Sequence, residues 1–145
     1  MKAPNKFIEA ALSKQFDTAK ELLLTGIDIN AGYGESQWTA LHFAVEDMTA
    51  EAAKWLLDNG ADPNRVDTAG WTPLHLAIDA EADWARQQHT ERGTVTLQAG
   101  LTILLLKSGA NPSLRTNDGE TALSLARSVG NFLAVEVLEG LSSPE

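Results

Sequence analysis

The chain has 145 residues, 43% of them hydrophobic, which suits one folded domain with a buried core. A formal charge of −9 argues against a general phosphate-binding surface, because nucleic-acid affinity rests on Lys and Arg, and it favours a basic protein as partner. With no cysteine there is no disulfide framework and no thiolate metal site. The charged, proline-containing start and the lack of a long apolar run lead us to expect no signal peptide and no membrane span, in a soluble, cytoplasmic chain.

In chain order, Phe7 to Ala11 begin the first unit, which closes on Gly26-Ile-Asp-Ile-Asn30. Next comes Thr39-Ala-Leu-His-Phe-Ala44, where Leu41, Ala44 and Val45 lie on one helical face, and Ala52, Ala53, Leu56 and Leu57 lie on that of a second helix. Thr39 can cap the first helix by accepting from an orphan amide of its first turn. Gly60, after Asp58-Asn59, can end the second in a left-handed conformation, as can Gly26 and Gly109 in their places. The polar stretch from Asp62 to Gly70 predicts a projecting hairpin or extended loop.

The helix-opening phrase returns as Thr72-Pro-Leu-His-Leu-Ala77 and Thr121-Ala-Leu-Ser-Leu-Ala126, and the closing one as Gly60-Ala-Asp-Pro-Asn64 and Gly109-Ala-Asn-Pro112. Pro73 strengthens the Thr72 start, since a first-turn proline loses no helical bond. Thr39 to Thr72 is 33 residues, whereas Thr72 to Thr121 is 49. Four units result, 1–33, 34–66, 67–115 and 116–145, with an insertion near 80–98. Helix pairs this short cannot hide their apolar faces alone, so they must stack.

Within the insertion, Leu76, Ala80 and Trp84 continue one helical stripe and Leu97, Leu101, Leu104 and Leu105 form another. Lengthening both helices by about two turns absorbs the extra residues and gives a helical finger. Its turn falls at His89 to Thr96, around Gly93, with Thr94 or Thr96 as a cap. Trp84 is expected to pack inside the finger or, alternatively, to meet a partner.

These motifs resemble the ankyrin repeat. The family phrase Gly-x-Thr-Pro-Leu-His-x-Ala is met in full by residues Gly70 to Ala77, and Leu-Leu-x-x-Gly-Ala-Asp-x-Asn by Leu56 to Asn64. The resemblance covers roughly 5–139 and weakens at both ends, in Phe7 to Ala11 and at Ser124, which replaces His. It implies an all-α solenoid of stacked helix-turn-helix units with projecting hairpins, acting as a protein–protein interaction module and not as an enzyme. It also implies that His42 and His75 link their helices to the neighbouring hairpin backbone.

Carried over by position, the resemblance places partner contacts at Glu35, Ser36, Trp38, Glu46 and Asp47 in the second unit. In the third they fall at Thr68, Ala69, Trp71, Asp79 and Ala80, and in the fourth at Asn117, Asp118, Glu120, Arg127 and Ser128. Two tryptophans in one slot would give large amphipathic contact area. Acidic residues dominate the set, against Arg127 alone, which would steer a basic partner.

The resulting expectation is a small acidic adaptor or inhibitor of a basic protein, one form being a bacterial immunity protein that occludes a toxin. It would be a monomer when free, with no cofactor, metal, nucleic acid or membrane. The competing readings are a scaffold with several weak partners and a hydrolase using His89 with Asp83 or Glu91. No Gly-x-Ser-x-Gly elbow, Gly-rich phosphate loop or paired histidines at ligand spacing support the last.

Overall fold

A computed structural model describes residues 5–87 and 100–142. Its described helices are α1 (Lys6–Leu12), α2 (Phe16–Leu24), α3 (Ala40–Glu46), α4 (Ala50–Asp58), α5 (Pro73–Gln87), α6 (Gly100–Lys107), α7 (Ala122–Val129) and α8 (Phe132–Ser142). Sequence neighbours pair as α1 with α2, α3 with α4, α5 with α6 and α7 with α8. Across units, α1, α3, α5 and α7 stack in one row, while α4 packs on α6 in a second. The Phe16 ring stacks on Trp55 at 5.3 Å and so ties α2 to α4.

The starts and stops follow the expected chemistry. Thr39 and Thr121 are N-caps whose hydroxyls accept from the amides of His42 and Ser124. Thr72 accepts from the His75 amide in the same way, at 3.3 Å. After α4, Gly60 has φ +102° and its amide donates to Leu57, while the Ala61 amide donates to Leu56. That pair of bonds satisfies the last carbonyls and turns the chain out of the helix. Small residues let the rows approach closely: Ala44, Ala53, Ala77, Ala126 and Ala134 are fully buried beside Leu41, Leu56, Leu74 and Leu105.

The shared Asn of the closing phrase joins successive units. Asn30 donates to the Gly60 carbonyl (3.2 Å) and accepts from the Asp62 amide (2.7 Å). Asn64 repeats this on Gly109 and Asn111, at 3.1 and 2.7 Å. Ser113 follows Pro112 where a further Asn would stand.

The third unit carries the expected extension in its first helix: α5 has 15 residues against 7 in α3 and 8 in α7. Residues His89 to Thr96, with the two candidate caps, and Leu97 lie outside the described residues. Leu76, Ala80 and Trp84 all lie on α5, with Leu76 buried in the core. Ala80 and Trp84 are half-buried and line a cavity beside α3, and Glu81 reaches α6. Glu81 is fully buried, its Oε1 accepting from the amide (3.1 Å) and hydroxyl of Thr102 in the first turn of α6. A carboxylate there meets the positive end of the helix and one of its orphan amides.

Candidate interaction surface

The hairpins are joined side by side through their backbones. The Thr68 amide donates to the Ser36 carbonyl (3.0 Å), and the Asn117 amide to that of Ala69 (2.9 Å). The Asn117 side chain adds a bond to the Thr68 carbonyl at 2.9 Å. Ser36, Thr68, Ala69 and Asn117 are all exposed, so four of the residues placed here by resemblance form one continuous surface strip.

Below the strip, each histidine spans two units. Nδ1 of His42 accepts from the Thr39 amide (3.2 Å), which leaves Nε2–H to donate to the Trp71 carbonyl at 3.0 Å. His75 does the same between Thr72 and the Glu120 carbonyl, at 3.2 and 3.1 Å. Burial pulls both imidazoles below the ordinary histidine range, against the raising effect of those carbonyl bonds. Neutral rings bridging backbone groups have no free atom for acid–base chemistry.

Trp38 and Trp71 occupy one slot with different surroundings. The Trp38 indole N–H donates to Asp67 of the next hairpin (3.0 Å), and its ring stacks on His42 and meets Phe43 edge-on. Trp71 tilts over His75 with centroids 6.0 Å apart. Both remain half-buried, so each combines framework packing with an accessible face.

Two cavities open on this side. One, of about 200 Å³, lies at the hairpin and is lined by Tyr33, Gly34, Glu35, Ser36, Trp38 and Phe43. The other, of about 170 Å³, lies between α3 and α5 and gathers Glu46, Met48, Asp79, Ala80, Asp83, Trp84 and Gln87. Burial raises the Glu46 carboxyl above its ordinary value, and the charges of Asp79, Asp83 and Asp47 raise it further. Asp79 is likewise raised, by burial and then by Asp83, with Arg86 opposing.

The remaining sites are more dispersed. Asp47, Asp118 and Ser128 are exposed, and Glu120 is half-buried. Arg127 pairs with Glu139 at 2.7 Å. His89 and Glu91 lie outside the described residues. Among the described residues no group of His, Asp and Glu has metal-binding geometry, and no helix is long and apolar enough to cross a membrane.

Tyr33, Phe43, Met48 and Asp83 were not among the contacts expected from the resemblance. The signals were present: Phe43 replaces the Leu of the other two phrases, and Asp83 stands one helical turn after Asp79.

Stacked helix pairs, joined hairpins and a side-chain surface with two open cavities define a repeat protein that works by binding. A family model of three ankyrin repeats matches residues 7–87, and one of a single ankyrin repeat matches 69–117. The chain belongs to the ankyrin repeat family and is a protein–protein interaction module. It is 39% identical over 106 residues to the neurogenic locus Notch protein of Drosophila melanogaster, covering 73% of this chain and 3% of that one. Identity to the human neurogenic locus notch homolog protein 2 is 35% over 106 residues, covering 73% and 4%. To the potassium channel AKT1 of Arabidopsis thaliana it is 35% over 95 residues, covering 62% and 11%. The chain thus spans only a small part of the length of these relatives.

Proposed function

We propose that the strip of hairpins and the α3–α5 face bind a basic protein, the chain acting as a small acidic adaptor or inhibitor. The observation that carries this is the convergence of Glu46, Asp79 and Asp83 on one cavity with Trp84 and Met48. Burial and then the neighbouring carboxylates raise Glu46 and Asp79 above their ordinary values, and an incoming Lys or Arg relieves that repulsion while its stem packs on Trp84. Arg86 pairs with Asp83 and offsets only part of the charge. The inhibitor form, of the bacterial immunity type, adds the expectation that the partner loses its own activity when bound.

The test is affinity purification from the native cell, followed by binding to the Glu46→Lys/Asp79→Lys variant. One recovered basic chain, bound more weakly by the variant by at least about tenfold and weakened by salt, supports the reading. A partner whose binding ignores both reversal and salt removes the electrostatic reading. Several partners of mixed charge would favour a scaffold.

A further inference from the structure

The hairpin cavity has a construction that the other units lack. The Tyr33 amide donates to the Trp38 carbonyl (2.9 Å), as Asp67 does to Trp71 (3.0 Å) and Thr116 to Glu120 (2.9 Å), so Tyr33, Asp67 and Thr116 hold one place. Asp67 and Thr116 use their side chains to brace the hairpin: Asp67 Oδ1 accepts from the Ala69 and Trp71 amides, and Thr116 from that of Glu120. Tyr33 brings a ring instead. Phe43 likewise stands where Leu76 and Leu125 stand, four residues past the helix-opening Thr.

The result is a corner of three rings. Trp38 and Phe43 meet at 74° with centroids 5.3 Å apart, and Tyr33 and Glu35 complete the lining. The Trp38 wall is fixed before any ligand arrives, by its bond to Asp67 and by His42 behind it at 6.3 Å. Burial keeps that imidazole neutral, with Nδ1 accepting from the Thr39 amide, so it brings no competing positive charge. No ion pair holds Glu35 among the described residues.

We propose that this cavity receives one arginine guanidinium from a basic partner protein, stacked on the Trp38 and Phe43 rings and bonded to Glu35. A neutral apolar group would leave the carboxylate unused, and a primary ammonium holds its hydration more tightly than this carbon-lined corner can replace. A guanidinium is weakly hydrated, planar and able to bond a carboxylate through two N–H groups. The inference deepens the proposed function by naming the side chain recognised, and it rests on that reading for its partner.

The experiment follows the Trp38 indole N–H resonance of the full chain, assigned by its loss in Trp38→Phe, during titration with acetyl-arginine amide, acetyl-lysine amide and the neutral isostere acetyl-citrulline amide. Arginine should shift the resonance saturably, with lysine and citrulline weaker by about fivefold or more. Phe43→Leu, which installs the residue of the other units, and Glu35→Gln should each weaken arginine about fivefold. The other tryptophan resonances report that both variants are folded. A stationary Trp38 signal, equal response to citrulline or lysine, or unchanged affinity in both variants overturns the assignment. Arginine binding without any basic partner in the cell sinks the proposed function and leaves the cavity's role standing. A basic partner lost on Glu46 and Asp79 reversal but indifferent to Phe43→Leu and Glu35→Gln sinks the arginine site alone.

Discussion

The Nε2 atom of His42 lies 3.0 Å from the carbonyl oxygen of Trp71, so one buried side chain joins the helix of one unit to the hairpin of the next. His75 and the Glu120 carbonyl repeat the link at 3.1 Å. In the last unit Ser124 turns back on its own helix start, accepting from the Thr121 amide at 2.9 Å. We predict that His75→Ala lowers stability by about 2–4 kcal/mol, because it removes one of two donors to the Glu120 carbonyl, takes the Nδ1 acceptor from the buried Thr72 amide and opens a void. Ser124→Ala should cost no more than about 1 kcal/mol, since its bonds are local and exposed. Urea midpoints of the two variants check this, and equal losses would contradict it.

Glu81 gives a prediction in pH. Its carboxyl is pushed up to about 7, mainly by burial, with the Thr102 bonds holding it lower than burial alone would. Among the described residues Oε2 has no hydrogen-bond partner. A folded-state pKa above the unfolded value means that the native chain binds the proton more tightly. Glu81 therefore costs nothing below the unfolded pKa of about 4.3, and its penalty grows as pH rises to about 7, reaching roughly 3 kcal/mol. The lowered values at His42 and His75 act oppositely, removing stability as pH falls through the ordinary histidine range. Glu81→Gln should flatten the loss of stability between pH 5 and 7, leaving the histidine effect, as read from thermal or urea unfolding at several pH values. A variant whose pH profile matches that of the parent would contradict the assignment.

How much of this was legible follows from what each residue does. Thr39, His42, Gly60 and Asn64 recur because every unit must meet the next in the same way, so repetition exposed them and with them the fold. Ser113 and Ser124 depart from the repeated Asn and His, so those two links were not to be expected of them. Of the positions expected to contact a partner, Glu46 and Asp79 line one cavity. Tyr33 and Phe43 were not singled out because a repeat argument attends to what is shared, and these residues break the pattern. Glu81 was visible as an acid on the apolar stripe of α5, between Ile78 and Ala85, but its receiving amide at Thr102 depends on how α5 and α6 pack.

Gln37 and Gly70 predict opposite responses at one hairpin position. Gln37 has φ +55° where Gly70 has +78° and Gly119 +82°. Gln37→Gly should raise stability by up to about 1 kcal/mol, as the left-handed conformation ceases to be strained. The gain is reduced by the greater freedom of glycine in the unfolded chain and by loss of the 2.8 Å bond from the Gln37 side chain to Gly34. Gly70→Ala should cost about 2 kcal/mol or more, because the added Cβ would lie 2.6 Å from Asn117 Oδ1 and 2.7 Å from its amide nitrogen, as well as being strained in φ. Thermal unfolding of the two variants should move in opposite directions.

Arg86 separates stability from binding. Its guanidinium donates to the Val129 carbonyl at the end of α7 (3.0 Å) and to Asp83 (2.6 Å), so it ties the extended part of α5 to the fourth unit and also lowers the negative charge of the α3–α5 cavity. Arg86→Ala should lower stability by about 1 kcal/mol, since both bonds are exposed and charge-assisted. Asp79 and Asp83 would then lack their neighbouring cation, and Asp79 should titrate at still higher pH. If the cavity receives a cationic side chain, the same variant binds a basic peptide more tightly at low salt, by about twofold to fivefold, and the gain disappears as salt is added. Titration of parent and variant with one Lys- and Arg-rich peptide at two ionic strengths measures this. Weaker binding by Arg86→Ala in a folded protein would mean that Arg86 itself contacts the ligand, and the cavity would then be a mixed-charge surface.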